Sequence, residues 1–345
     1  MVKNVLILGG DGFIGSHLTI HLNNNHYNVY VVDKADLRST RNGILNPKYI
    51  YADLSINTFK TLTDIISQTK PDIILNCVAV ATPHYYVKYP IDTFNLDFTV
   101  NYDIVKCILH HKIPYIQFST SEVYGKKWIE PYSEDTTDLI IGPTHKSRWI
   151  YATSKILLEQ LIVSHGGEYC IIRPQNFCGW DMDWIPCINT NIDNKWKPRL
   201  PACMLNNLFS NSPLQVVLPG TQKRCYTLID DAINGIKGII DNWDTCKSHI
   251  FNIGNKNNEI QIIDLVKLIQ TKWNQLVSDN LKNTYNIEFI DGNEFYGEGY
   301  EDCERRYFDD SKIINMTDWK PQYNIEQTVE KIIKDALFNY KGIQI

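Results

Sequence analysis

Long apolar runs are missing from this 345-residue chain. That absence excludes a membrane-spanning helix, which needs roughly 20 consecutive apolar residues. An excess of basic charge is missing too. The formal net charge is −5, with both signs mixed along the chain, which argues against nucleic acid as a main partner. Cysteine is present, but not in the patterns that exploit it: nine thiols, an odd number without C-x-x-C spacing, speak against both a zinc site and a disulfide framework. Neither His84, His110, His111 nor His145 has metal-ligand partners at useful spacing, so no metal is expected. A reduced cytoplasm fits these thiols best. No stretch resembles a signal peptide, because the first apolar run has strand length and passes at once into glycines. Internal repeats and low-complexity linkers are absent as well. A chain this long can bury a large core, and two domains or one extended one are expected.

What is present begins with Val5-Leu6-Ile7-Leu8, an apolar run that predicts a buried parallel strand. Gly9-Gly10-Asp11-Gly12-Phe13-Ile14-Gly15 follows, with glycines 9, 12 and 15 in G-x-x-G-x-x-G spacing, and then a helical pattern through Leu18 and Leu22. Such glycines let a backbone approach a pyrophosphate, whose charge then sits at a helix N-terminus. The next strand, Asn28 to Val32, ends in Asp33. A carboxylate there accepts hydrogen bonds from a ribose diol and repels a 2′-phosphate, which favours NAD over NADP. Arg38 and Arg41 stand nearby and moderate that preference. Further strands are expected at Tyr49–Tyr51 (leading into Asp53 and Leu54), Asp72–Cys77, Pro114–Phe118 and Tyr169–Arg173. Helices are expected from Thr58 to Ser67, from Pro90 to Leu109, and through Tyr151 to Ser164. The alternation predicts an α/β fold, a doubly wound parallel Rossmann sheet with a smaller C-terminal α/β substrate-binding lobe. The NAD-binding domain is assigned to residues 1–175, with a returning segment at 227–254 whose strand is Ile250–Gly254. The lobe takes 176–226 and 255–345.

Tyr151 and Lys155 carry the chemistry in this reading. Four residues apart on a helix, they share one face. A tyrosine works as a base near neutrality only if its pKa of roughly 10 falls by about three units, a cost near 4 kcal/mol. A cation about 4 Å away at an effective dielectric of 20 supplies roughly that amount. Lys155 is therefore expected to lower the proton affinity of Tyr151. Ser119-Thr120-Ser121-Glu122 sits at the carboxyl end of a strand, where such sheets place ligands.

In this order the motifs resemble the extended short-chain dehydrogenase/reductase family of nucleotide-sugar enzymes. Ser119-Thr120-Ser121-Glu122-Val123-Tyr124-Gly125, Ala81-Thr82-Pro83 with Tyr86, Arg148-Trp149-Ile150-Tyr151 and Gln222-Lys223-Arg224-Cys225-Tyr226-Thr227 are similar to its UDP-glucuronate decarboxylase branch. The run from Glu294 through Gly297-Glu298-Gly299-Tyr300 to Arg305-Arg306 resembles enzymes of lipid A aminoarabinose synthesis and UDP-apiose/xylose synthesis. Ala81 and Ser121 stand where ring-contracting relatives carry cysteine, so no ring contraction is expected.

The resemblance implies oxidation at C4 of UDP-glucuronate followed by decarboxylation, giving a UDP-4-keto-pentose or UDP-xylose. Tyr151, Lys155, Thr120, Ser121, Glu122 and Arg306 are the implied catalytic residues. Glu122 is open to two readings: ionised, it repels the sugar carboxylate; protonated, it hydrogen-bonds to it. NAD contacts are expected from Gly9, Gly12, Phe13, Ile14, Gly15, Asp33, Asp53, Leu54, Tyr151 and Lys155. Tyr86, Asn176, Arg199, Arg224 and Tyr300 are the implied substrate contacts. Gln215, where relatives usually have lysine, and Gly179-Trp180-Asp181, where they have Gly-Pro-Arg, leave the sugar and base open. A homodimer is expected by family analogy. The alternatives are an epimerase or dehydratase acting on another nucleotide sugar, and a catalytically silent NAD-binding sensor, which the presence of both Tyr151 and Lys155 disfavours.

Overall fold

The computed structural model describes residues 3–34, 48–126, 130–183, 185, 187 and 197–339, which leaves Arg38 and Arg41 outside the described residues. Strand β1 (Asn4–Leu8) is an interior strand of a seven-stranded sheet, and its apolar side chains are buried on both faces, as a continuous apolar run requires. Around it stand β2 (Asn28–Asp33), β3 (Lys48–Tyr51), β4 (Ile73–Asn76), β5 (Tyr115–Phe118), β6 (Tyr169–Pro174) and β11 (His249–Ile253). Their order is β11-β6-β5-β4-β1-β2-β3, and every pair is parallel. This is the doubly wound arrangement expected, and the predicted returning strand takes the edge beside β6. Such an order reverses direction beside β1 and opens a crevice at the carboxyl ends of β1 and β4.

Helix α1 (Phe13–Asn24) leaves the glycine turn directly after β1. Helix α2 (Thr58–Thr69) and helix α6 (Trp149–His165) pack apolar residues such as Leu62 and Leu158 into one buried layer. The stretch after Pro90 is helical as predicted, but not uniformly so. It runs as α4 (Pro90–Phe94), a six-residue π turn (Asn95–Val100) and α5 (Asn101–His111), preceded by the short α3 (Pro83–Lys88). A π turn widens the ring by one residue and commonly marks a functional site. Asn101 stabilises this one, since its side-chain amide donates to Leu96 O at 2.8 Å and Val78 O at 3.1 Å.

Beyond β6 the chain also forms short strand pairs outside the large sheet. β7 (Phe177–Cys178) pairs with β10 (Thr227–Leu228), β8 (Gln215–Val217) with β13 (Glu288–Ile290), and β9 (Lys223–Cys225) with β12 (Glu259–Gln261). The helix at Ile229–Asp241 packs on α1, and helix α7 (Leu200–Phe209) and the helices at Ile262–Leu276 and Ile325–Asn339 complete the fold. Among the described residues, no helix is long and apolar enough to cross a membrane.

Candidate active site

A cleft of about 600 Å³ runs from the glycine turn, past the carboxyl ends of β4 to β6, to residues of the chain beyond β6. Gly9, Gly12, Phe13, Ile14 and Gly15 line one end. Gly9 is held at φ +70, a conformation that favours glycine. A Cβ on Gly15 would lie 2.5 Å from Gly9 O, so helix α1 packs this closely on the turn only because Gly15 has no side chain. Asp33 closes β2, and its carboxylate accepts the Asp11 N–H at 2.9 Å. Strand, bare turn, helix N-terminus and acid thus form a cradle that fits a dinucleotide.

Tyr151 lines the middle of the cleft. Its ring stacks on Tyr86 at 5.1 Å with the planes 5° apart, and Thr120 lines the cleft beside it. Lys155 follows one turn on, but it is fully buried and does not line the cleft. Its ammonium instead pairs with Asp97 at 3.0 Å, two charges 1% and 0% exposed. Asp97 therefore shares the charge expected to act on Tyr151. Burial pushes the phenol up, and Asp97 and then Glu122 push it further. Asp97 is delivered by the π turn.

Glu122 begins the 3-10 turn Ser121–Tyr124, and among the described residues three partners surround its carboxylate. Arg148 Nη2 donates at 2.9 Å, Tyr86 Oη donates at 3.2 Å, and Arg306 Nη2 lies at 3.6 Å. Arg148 and Arg306 are 2% and 5% exposed and both line the cleft. Among the described residues, the Nε atoms of both, Arg148 Nη1 and Arg306 Nη2 have no hydrogen-bond partner. Two buried guanidiniums therefore share one carboxylate and keep donors to spare. Arg305, beside them in sequence, faces away and binds Glu259 and Glu130.

The end of the cleft away from the glycine turn is lined by Asn176, Arg199, Arg224, Tyr300 and Gln215. Arg199 forks onto Asp183, with Nη2 at 2.8 Å, and Arg224 Nη2 donates to Asp302 at 2.6 Å. Both arginines are thus held by counter-ions that the sequence reading did not name. Of the expected site residues, Lys155, Tyr86, Asp33, Asp53 and Leu54 do not line the cleft. Lys155 and Tyr86 stand behind or against Tyr151. Asp53 faces Lys34 at 3.6 Å, and the Leu54 side chain is buried in an apolar layer of the sheet. Cys178 and Cys225 are buried in apolar clusters, whereas Cys77 and Cys203 line the cleft. Arg148 was missed although its signal is local: it precedes Tyr151 by three residues and so shares its helical face. No metal-holding cluster is found among the described residues.

Compared with known proteins, residues 5–254 match the NAD dependent epimerase/dehydratase family. The chain is 34% identical over 349 residues to the bifunctional polymyxin resistance protein ArnA of Wigglesworthia glossinidia brevipalpis. That alignment covers 98% of this chain and 52% of the relative, so the chain spans about half the length of the curated relative it matches. The solved PbgP3 protein of Burkholderia pseudomallei superposes with TM-score 0.82 at 28% identity, covering 97% and 96% of the two chains. A UDP-glucuronic acid 4-epimerase of Bacillus cereus, solved with UDP-glucuronic acid and NAD, gives TM-score 0.74 at 20% identity over 96% and 98%, a likeness of fold alone.

Proposed function

The chain belongs to the NAD dependent epimerase/dehydratase family, and from that premise we propose that it oxidises UDP-glucuronate at C4 and releases C6 as carbon dioxide. NAD is its cofactor, and when bound it accepts the hydride that leaves C4. The observation that carries the reading is the pair of buried guanidiniums, Arg148 and Arg306, at the cleft wall beside Tyr151. Glu122 neutralises one positive charge, and the second, with its free donors, suits a sugar carboxylate.

The chain's own residues then divide the work. Tyr151 takes the proton from the C4 hydroxyl, and Thr120 steadies the phenol oxygen. The resulting 4-ketone stands beta to the C6 carboxylate, so breaking the C5–C6 bond leaves its electron pair in an enolate at C4 and C5. Protonated Tyr151 and Thr120 stabilise that oxyanion through hydrogen bonds. Arg306 holds the carboxylate and, after it leaves, orders a proton donor at C5. Glu122, bound by two cations, acts as an ionised group that raises the energy of the bound sugar carboxylate. Arg199, Arg224, Asn176 and Tyr300 bind the nucleotide end in this assignment.

Dimerisation through α6 belongs to the same proposal. Leu157 and Val163 on its outer face are 42% and 47% exposed, and Ile91 on α4 is 73% exposed. Sedimentation returning a monomer at all concentrations would reject that part. For the reaction, purified protein is incubated with UDP-glucuronate and NAD while carbon dioxide and NADH are followed together. Carbon dioxide with stoichiometric NADH identifies the keto-pentose; carbon dioxide without net NADH identifies UDP-xylose. Neither signal overturns the proposal in favour of an epimerase or another sugar nucleotide.

A further inference from the structure

We propose that Asp97 is a positioning residue that acts through Lys155 as a built-in counter-charge and so sets the pH at which Tyr151 gives up its proton. The inference rests on Tyr151 being the acid/base group. Three observations carry it. The Asp97–Lys155 contact is 3.0 Å long, and both side chains are sealed from solvent. Asp97 sits in the π turn, so an irregularity of the backbone places this carboxylate inward where the regular helices on either side do not. Its second oxygen lies 3.4 Å from the Val80 N–H, which ties the ion pair to the loop that walls the cleft.

A lone buried ammonium would strip the phenol of its proton readily; an ammonium paired with a carboxylate does so far less. The other charged or polar groups facing Tyr151 are accounted for: Glu122 is matched by Arg148, Arg199 is matched by Asp183, and Tyr86 and Thr120 carry no charge. Asp97 itself is faced by Lys155 and, more weakly, by Tyr85 and Tyr151. Lys155 is thus the charge that Asp97 cancels.

The test needs no sugar, so it stands apart from the identity of the substrate. Tyrosinate formation is titrated in the ultraviolet on NAD-loaded protein, each variant referenced to the same chain carrying Tyr151→Phe. Asp97→Asn should move the onset for Tyr151 down by roughly one pH unit, and Asp97→Glu should restore it. The acid limb of the turnover profile should move the same way. An unchanged or raised onset overturns the proposal and reduces Asp97 to a packing role. Should Asp97→Asn fail to fold, Lys155→Gln is compared with Lys155→Gln/Asp97→Asn. Because Asp97 acts through Lys155, these two must ionise Tyr151 at the same pH, and a lower onset in the double variant shows that Asp97 acts on the phenol directly and overturns the proposal as firmly.

Discussion

Glu122→Gln separates ground-state binding from chemistry more cleanly than removal of either arginine. The substitution keeps the shape and the Tyr86 contact but removes the charge that Arg148 and Arg306 share. A sugar carboxylate bound on the cleft side of those guanidiniums would stand about 8 Å from Glu122, one guanidinium width plus two hydrogen bonds. At an effective dielectric of 20, two carboxylates at that distance repel by about 2 kcal/mol. The intervening cations screen about half, leaving about 1 kcal/mol, or roughly fivefold in an equilibrium constant. Glu122→Gln should therefore bind UDP-glucuronate about fivefold more tightly while its single-turnover decarboxylation slows by at least that factor. UDP-glucose, which has no carboxylate, should bind as before. Calorimetry with both nucleotides and quenched-flow measurement of carbon dioxide supply the numbers. Equal changes for the two sugars, or weaker binding of the glucuronate alone, would refute the clamp.

Other expectations follow from the same geometry. Tyr151→Phe keeps the stacked ring but loses the hydroxyl, so turnover should fall about 10²–10⁴-fold with NAD affinity little changed; near-normal turnover rejects its role. Burial pushes the Cys203 thiol to about 11 from 9.0, so at neutral pH iodoacetamide should alkylate it about a hundredfold more slowly than a free thiol. UDP should slow alkylation further, and mass spectrometry reads both. Burial opposes ionisation of Asp302, yet Arg224, Arg148 and Arg306 hold its carboxyl below the usual range. Its folded pKa being depressed, the stabilisation is complete above the unfolded carboxylate pKa and disappears as pH falls through the folded one. Melting curves of wild type and Asp302→Asn should accordingly converge in acid and separate towards neutrality.

The parallel sheet was legible because each of its strands announces itself locally. The apolar run at Val5–Leu8, the glycine turn and the acid closing β2 are all contiguous patterns, whereas the order of the strands in the sheet is set by packing between distant segments. Tyr151 and Glu122 were legible for a different reason, as their motifs resemble a known family. The π turn was not. Its residues, Asn95 to Val100, keep helical apolar spacing, and only the packing of Asn101 onto Leu96 and Val78 shows the widened register. The ion pairs of Lys155, Arg199 and Arg224 were hidden because their partners lie 58, 16 and 78 positions away in the chain. No local pattern couples such residues; the fold does.

Isotope transfer tests the central claim most directly. UDP-glucuronate carrying deuterium at C4 is mixed with NAD and excess protein for a single turnover, and the nicotinamide is analysed by mass spectrometry. Deuterium on the nicotinamide, lost when Tyr151 is replaced by Phe, is the predicted result. Carbon dioxide released with the label still on the sugar, or label transfer undiminished without the phenol, would contradict the account.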